Sequence, residues 1–447
     1  MLIAERVSSM DIAALVDASK GVVDRRIFWD QAIYDLEMER IFARAWLFVA
    51  HESQLAAPGS YLTTYMGEDA VIVARDQDRR IKVFLNSCPH RGNRVCFTDS
   101  GETSQFTCNY HGWAFGLNGD LKRMPKMGLY RNSSCFRTED WGLRNARVAS
   151  YKGLVFATFD EAAPSLDQWL GDFRWYLDAV LDAEEGGTEF IAGGAIRSVL
   201  NCNWKFPADN FVGDIYHALW THLGGAEATL ADHGGVVVTN ENSWQVSVNG
   251  HGWEFNDSFL GNAATMGDRE LLRYMKSRRE AITERLGKFR ADMWGAVSSA
   301  TIFPNFSFLP GYFTFRTYQP KGPLKTEIHA WTLVPKNMPE DIKDRFRRGS
   351  TRCFSPSGIL EMDDGENWEH STTVNRGHVT RHQKLCYQMG LGAAREAVDL
   401  PGTATHGQLN DANQRLFFGR WAEMMAADSW ADIPLAPITI DAKEAAE

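Results

Sequence analysis

The chain has 447 residues, more than the ~250–300 that one hydrophobic core usually organises, so two domains are expected. Hydrophobic residues make up 44% and charged residues 23%, a globular balance that excludes a disordered chain. A net charge of −10 without any basic run of five residues excludes a nucleic-acid partner.

No segment approaches the ~18 continuous apolar residues of a membrane span, and the N-terminus has no signal-peptide pattern. The expectation is a soluble, cytoplasmic protein with no membrane segment. Seven scattered cysteines, an odd number, do not form a secreted disulfide framework; reduced thiols can instead ligate metal.

In chain order, residues 28–43 place Ile33, Leu36, Ile41 and Phe42 at helical spacing. From 45 to 165 short alternating runs (YLTTYM, AVIVARD, IKVFLN, SQFTCNY, LVFATF) are separated by turn residues, which predicts a small antiparallel β domain. Beyond 166 the elements lengthen: a strand over 189–201, a helix or broken helix over 205–223 and a hairpin over 236–257. A clear amphipathic helix follows over 268–292, then strands over 300–309, 312–319 and 326–334 and a helix opened by Pro339. The stretch 392–412 reads as a surface loop and the tail DAKEAAE as frayed. The fold class is α+β: a small antiparallel β domain (45–165) inserted near the N-terminus of a larger domain (1–44 and 166–447) in which helices cover an antiparallel sheet.

Two motifs carry chemistry. Cys88-Pro-His90 and Cys108-Asn-Tyr-His111 each place one cysteine and one histidine at the end of a predicted strand. Structural zinc is one reading, but a common zinc finger groups its cysteines first and its histidines later. The alternation suits a two-iron centre, with Cys88 and Cys108 on one iron and His90 and His111 on the other. Neutral imidazoles remove negative charge and raise the reduction potential above that of an all-cysteine cluster. Gly92, Gly101 and Gly112 permit tight loops around it, Pro89 and Trp113 shield it, and Cys96, Cys135, Cys202, Cys353 and Cys386 read as small buried hydrophobes.

The second motif is N210-F-V-G-D214-I-Y-H217-A-L-W-T-H222. Five residues separate the histidines, about 140° around a regular helix, so joint ligation of one ion requires a bend or break there. A mononuclear iron(II) site of the two-histidine, one-carboxylate type needs an acid from elsewhere. The run E361-M-D363-D364-G-E366 offers Glu361, Asp363, Asp364 and Glu366, and the residues alone do not choose among them; a solvated charge run is the plain alternative.

Together these motifs, running from F-A-R-A-W-L-F near 42 to F417-F418-G-R-W-A, resemble the large (α) subunit of Rieske-type aromatic-ring-hydroxylating dioxygenases, in the naphthalene and polycyclic-aromatic branch. The resemblance implies a [2Fe-2S] cluster on Cys88, His90, Cys108 and His111, and non-haem Fe(II) on His217, His222 and Asp364, the second acid of the pair after F354-S-P-S-G. It makes Asp214 a bridge between the cluster of one subunit and the iron site of the next, places Asn210 beside it, and implies an α3β3 hexamer with a small β subunit. It implies a substrate pocket of Asn210, Phe211, Ala218, Ser299, Leu309, Phe354 and Leu360, with Leu360 and Ser299 standing where naphthalene-type relatives carry tryptophan and asparagine. The activity implied is NAD(P)H- and O2-dependent cis-dihydroxylation of a polycyclic hydrocarbon, fed by a separate reductase and ferredoxin. No dinucleotide fingerprint appears in the chain itself. Alternatives are a Rieske monooxygenase acting on a salicylate-like acid and a Rieske electron-transfer protein without oxygenase activity. The stretch 256–280 is expected to be a mobile cover over the pocket entrance.

Overall fold

The computed structural model describes residues 14–130, 135–225, 241–257, 260–393 and 395–440. The chain forms two compact units, one of Phe42–Ala163 and the other of Met1–Ile41 with Pro164–Glu447. The tail DAKEAAE and the first five residues of the expected 236–257 hairpin lie outside the described residues.

The smaller unit is all antiparallel. Strands Ile81–Leu85, Asp69–Arg75, Ser60–Met66 and Ser100–Glu102 form one sheet in that order. Phe106–Thr107, Ala114–Phe115 and Leu121–Arg123 form a second, and Leu47–His51, Leu154–Thr158 and Arg147–Tyr151 a third. Ser60–Met66 alternates buried and partly exposed residues, as one buried face of a sheet requires. A core containing Ile72, Phe84, Phe106, Trp113 and Phe115 closes around Cys88 and Cys108.

The larger unit is built on a nine-stranded antiparallel sheet. Its path runs Thr188–Phe190, Thr326–Pro335, Thr314–Pro320, Phe306–Leu309, Ser298–Ile302, His251–Asn256, Ser243–Val248 and Thr403–His406; Ile196–Leu200 also pairs with Thr326–Pro335. The expected 300–309 strand is thus two strands joined by a turn. The expected surface loop at 392–412 contains the edge strand Thr403–His406, paired with Ser243–Val248, and it buries Gln408 and Asn410. Its short TATH run carried too little periodicity to be read as a strand.

Helix α1 (Gln31–Glu37) begins after Asp30, whose carboxylate accepts the Ala32 amide at 2.8 Å. It buries Ile33 and Leu36. Helix α2 (Lys205–Gly213) packs on the central strands, where the Thr301 hydroxyl donates to the Ala208 carbonyl at 3.0 Å. At the start of α2, Lys205 and the indole N–H groups of Trp204 and Trp421 all donate to the buried Glu37 carboxylate, so that charge enters the core fully paired. Helices α3 (Arg269–Met293), α4 (Glu340–Cys353), α5 (Glu361–Asn375) and α6 (Ala412–Ala426) complete the cover.

Within 256–280, residues 258 and 259 lie outside the described residues. Gly261–Thr265, in the stretch expected to be a mobile cover, is a short helix. No helix among the described residues is long and apolar enough to cross a membrane.

Candidate functional site

In the smaller unit two loops share one backbone plan. Cys88 N–H donates to the Asn93 carbonyl and Gly92 N–H to the Cys88 carbonyl, both at 2.8 Å. Cys108 N–H donates to the Trp113 carbonyl at 2.8 Å and Gly112 N–H to the Cys108 carbonyl at 3.0 Å. Gly92 and Gly112 hold φ of 73° and 71°, a left-handed turn that a side chain would strain.

The His90 and His111 rings lie 4.5 Å apart, and Trp113 stacks on His90 at 4.9 Å with 8° between planes. Burial holds the Cys88 thiol above its ordinary range. Burial acts likewise on Cys108, but the amides of Tyr110 and His111 and the Asn93 side chain outweigh it and favour the thiolate. Two buried sulfurs supplied with amide donors, beside two imidazoles, fit a cluster with mixed thiolate and histidine ligands. Cys135 and Cys386, expected to be buried, are exposed; only Cys96, Cys202 and Cys353 of the remaining five are core residues. Cys135 and Cys386 fall outside any apolar run that packs inward.

In the larger unit the helix breaks where the histidine spacing requires it. Helix α2 stops at Gly213, Asp214 leaves helical geometry (φ −109°, ψ 57°), and a 3-10 turn (Ile215–Leu219) carries His217. His217 Nε2 and His222 Nε2 are 3.1 Å apart, and each lies 3.2 Å from Asp364 Oδ1. Three donors about 2.1 Å from one ion and sharing an octahedral face stand about 3.0 Å apart, so this near-equilateral triangle fits a single metal.

His217 Nδ1 donates to the Asp214 carbonyl, which fixes the tautomer and leaves Nε2 free to ligate; the Asn210 amide is 3.3 Å from the same nitrogen. Burial lowers the His217 pKa, but Asp364 and Asp214 prevail and bring it up to about 9. Burial raises that of Asp364, yet the two imidazoles hold it well below the usual carboxylate range.

Asp364 comes from the first turn of α5. Glu361 in the same turn is buried against Arg316, a fully buried guanidinium lying 4.7 Å over the Phe211 ring and 5.2 Å over Phe354. The acidic run is therefore not uniformly solvated: Glu361 and Asp364 face inward, while Glu366 is 74% exposed.

Above the triangle lies a mostly apolar cavity of ≈ 90 Å³, lined by Asn210, Phe211, Ala218 and Ser299 and closed by Leu309, Phe354 and Leu360. His217, His222 and Asp364 reach it. Ile215, Glu254, Thr265, Val297 and Tyr312 also line it, and sequence reasoning did not single them out. The one available signal was Glu254, an acid in the apolar strand HGWEFN. On another side, Asp214 opens on a separate cleft of ≈ 510 Å³ with Asp209, Asp411 and Tyr387, whose hydroxyl donates to Asp209 at 2.9 Å. Burial and the neighbouring Asp411 and Asp364 raise the Asp214 pKa to about 6, against the pull of His217.

A cysteine–histidine centre that stores an electron, together with a three-ligand metal face opening on an apolar chamber, belongs to the class of two-centre iron oxygenases. Residues 45–138 match the Rieske [2Fe-2S] domain and residues 166–392 the ring hydroxylating alpha subunit (catalytic domain). The chain is 41% identical to biphenyl 2,3-dioxygenase subunit alpha of Rhodococcus jostii (strain RHA1), over 94% of this chain and 92% of the relative. It is 33% identical to the large oxygenase component of the naphthalene 1,2-dioxygenase system of Pseudomonas aeruginosa, over 94% of each. The structure of naphthalene 1,2-dioxygenase with indole bound superposes with a TM-score of 0.88 at 32% identity, covering 95% of this chain and 97% of that one.

The chain belongs to the α subunits of aromatic-ring-hydroxylating dioxygenases. Its cofactors are a Rieske [2Fe-2S] cluster and a mononuclear iron, and an electron-transfer role without oxygenase activity is set aside.

Proposed function

We propose that this chain is the terminal oxygenase component of a system that converts an aromatic hydrocarbon, dioxygen, two electrons and two protons into a cis-dihydrodiol. The electrons come from NAD(P)H through a separate reductase and ferredoxin. The observation that carries this reading is the His217–His222–Asp364 triangle at the wall of an apolar cavity. When bound, the iron offers adjacent open positions to dioxygen and the cluster stores the electron that a closed-shell ring does not give up.

The chain's own residues do the rest. Phe211, Phe354, Leu309 and Leu360 exclude water and hold the ring, while the Asp214 carbonyl orients His217 and Asn210 lies beside it. Among the described residues no lysine or arginine lines the cavity. A salicylate-like acid would find no lysine or arginine there for its charge, which disfavours the monooxygenase alternative.

Apolar hollows of about 150 Å³ admit benzene. At ≈ 90 Å³ this cavity is smaller than that, so any arene requires a wall residue such as Leu309 or Leu360 to swing aside, one or two rings less so than the larger polycycles expected from sequence. The assembly proposed is α3β3, with a neighbouring cluster histidine reaching Asp214 through the acidic cleft. Reaction under labelled dioxygen with one- to four-ring arenes tests the reading. Both labelled atoms are expected in a cis-dihydrodiol, with rates falling as ring number rises; one atom in product and one in water identifies a monooxygenase.

A further inference from the structure

One carboxyl group in the cavity has no part in the chemistry above. Glu254 sits on the strand His251–Asn256, is 1% exposed, and lines the chamber that reaches the iron ligands. Its Oε1 accepts the Ser299 hydroxyl at 3.0 Å, across the register pair that joins the two strands. Its Oε2 is shut off from solvent and is met by no donor at good hydrogen-bond geometry among the described residues, the Ile215 amide being the one backbone donor that bears on the carboxyl.

Buried carboxyls that serve only the fold have both oxygens bonded, as Glu37 does. Burial, reinforced by Asp214, raises the Glu254 pKa to about 8 against the Ile215 amide and Ser299, so the group is mostly neutral near pH 7.

We infer that Glu254 is a specificity-determining residue whose free oxygen recognises a hydroxyl group carried by the arene. A hydroxyl both donates and accepts, so it pairs with Oε2 whether or not the carboxyl holds its proton. A bare ring leaves that oxygen unpaired, and an anionic substituent finds no lysine or arginine among the described lining residues to offset its burial. This rests on the reading of the cavity as an arene site and names the substrate class within it: hydroxylated one- and two-ring arenes.

The test is calorimetric binding to the fully metallated, oxidised protein without reductant, using phenol against benzene and 2-naphthol against naphthalene. Wild type is expected to bind each hydroxylated partner about tenfold or more tightly than its parent. Glu254→Leu is expected to bring that ratio near one and to tighten binding of the parent hydrocarbons, while Glu254→Gln, which keeps shape and polarity, retains the preference. A wild-type ratio near one overturns the inference however the variants fold, and so does a preference that persists in Glu254→Leu with both metals in place. Failure of the dioxygenase reading shows separately, as missing label in the product, and leaves these binding ratios readable.

Discussion

The two metal regions of this chain are made in opposite ways. The cysteine–histidine loops repeat one local device: a cysteine amide bonded ahead, a left-handed glycine, and a histidine between them. Each loop is a short piece of chain whose geometry is set within itself. The iron face is assembled from a broken helix and the first turn of α5, some 140 residues further on, and the turn that carries its third ligand is paired, through Glu361, with Arg316 on a strand. A locally built site should survive damage elsewhere in the fold. A site built from distant pieces should depend on every brace.

Four experiments break or sharpen that contrast. Asp364→Ala should abolish turnover and lose one iron per chain while keeping the cluster's visible spectrum. Cys108→Ala should do the reverse, bleaching the spectrum but retaining the mononuclear iron, as metal analysis of the two proteins checks. Loss of both centres in either variant would contradict independent construction.

Next in size, Arg316→Met leaves Glu361 buried without its partner, a loss of about 3–5 kcal/mol. Denaturant melts should show it, together with weakened iron retention but an intact cluster spectrum. Asp214→Ala should keep both metals and slow reoxidation of the cluster about 10–100-fold, read by stopped-flow absorbance. Unchanged reoxidation removes Asp214 from the electron path.

The smallest effect concerns pH. His251 Nε2 donates to the Trp169 carbonyl at 2.9 Å and its Nδ1 accepts the Phe303 amide at 3.0 Å, so the folded protein holds it neutral. Burial brings its pKa down to about 3. In the unfolded chain it protonates near pH 6.5, so stability is full above that pH and falls as acid is added toward pH 3. The slope is at most about 1.4 kcal/mol per pH unit, and His251→Gln should flatten it in a melting-temperature series.

The contrast also explains what was legible in the sequence. The cysteine–histidine loops announced themselves because their ligands lie within a few residues of each strand end. The break at Asp214 followed from the spacing of His217 and His222, which no regular helix could satisfy. Asp364 could not be separated from Asp363 or Glu366 by pattern, since what distinguishes it is burial; only the family resemblance pointed to it. Glu254 showed only as an acid in the apolar strand HGWEFN, and Tyr312 and Thr265 gave no signal because nothing local marks which residues meet the cavity. Thr403–His406 was missed for a related reason: four edge residues carry almost no periodicity, and only their partner strand makes them β. Ring size was the hardest to read, because a hollow is defined by side chains from many elements.

The placement of Arg316 between the Phe211 and Phe354 rings and beside Glu361 bears on how this chain acquires new substrates. Shaving either ring to enlarge the chamber also removes a wall that holds the guanidinium, and with it the bearing of the turn that presents Asp364. Broader appetite and looser grip on the metal are mechanically linked here. Adaptation toward bulky rings should proceed more readily through Leu309, which bounds the same space from the separate strand Phe306–Leu309.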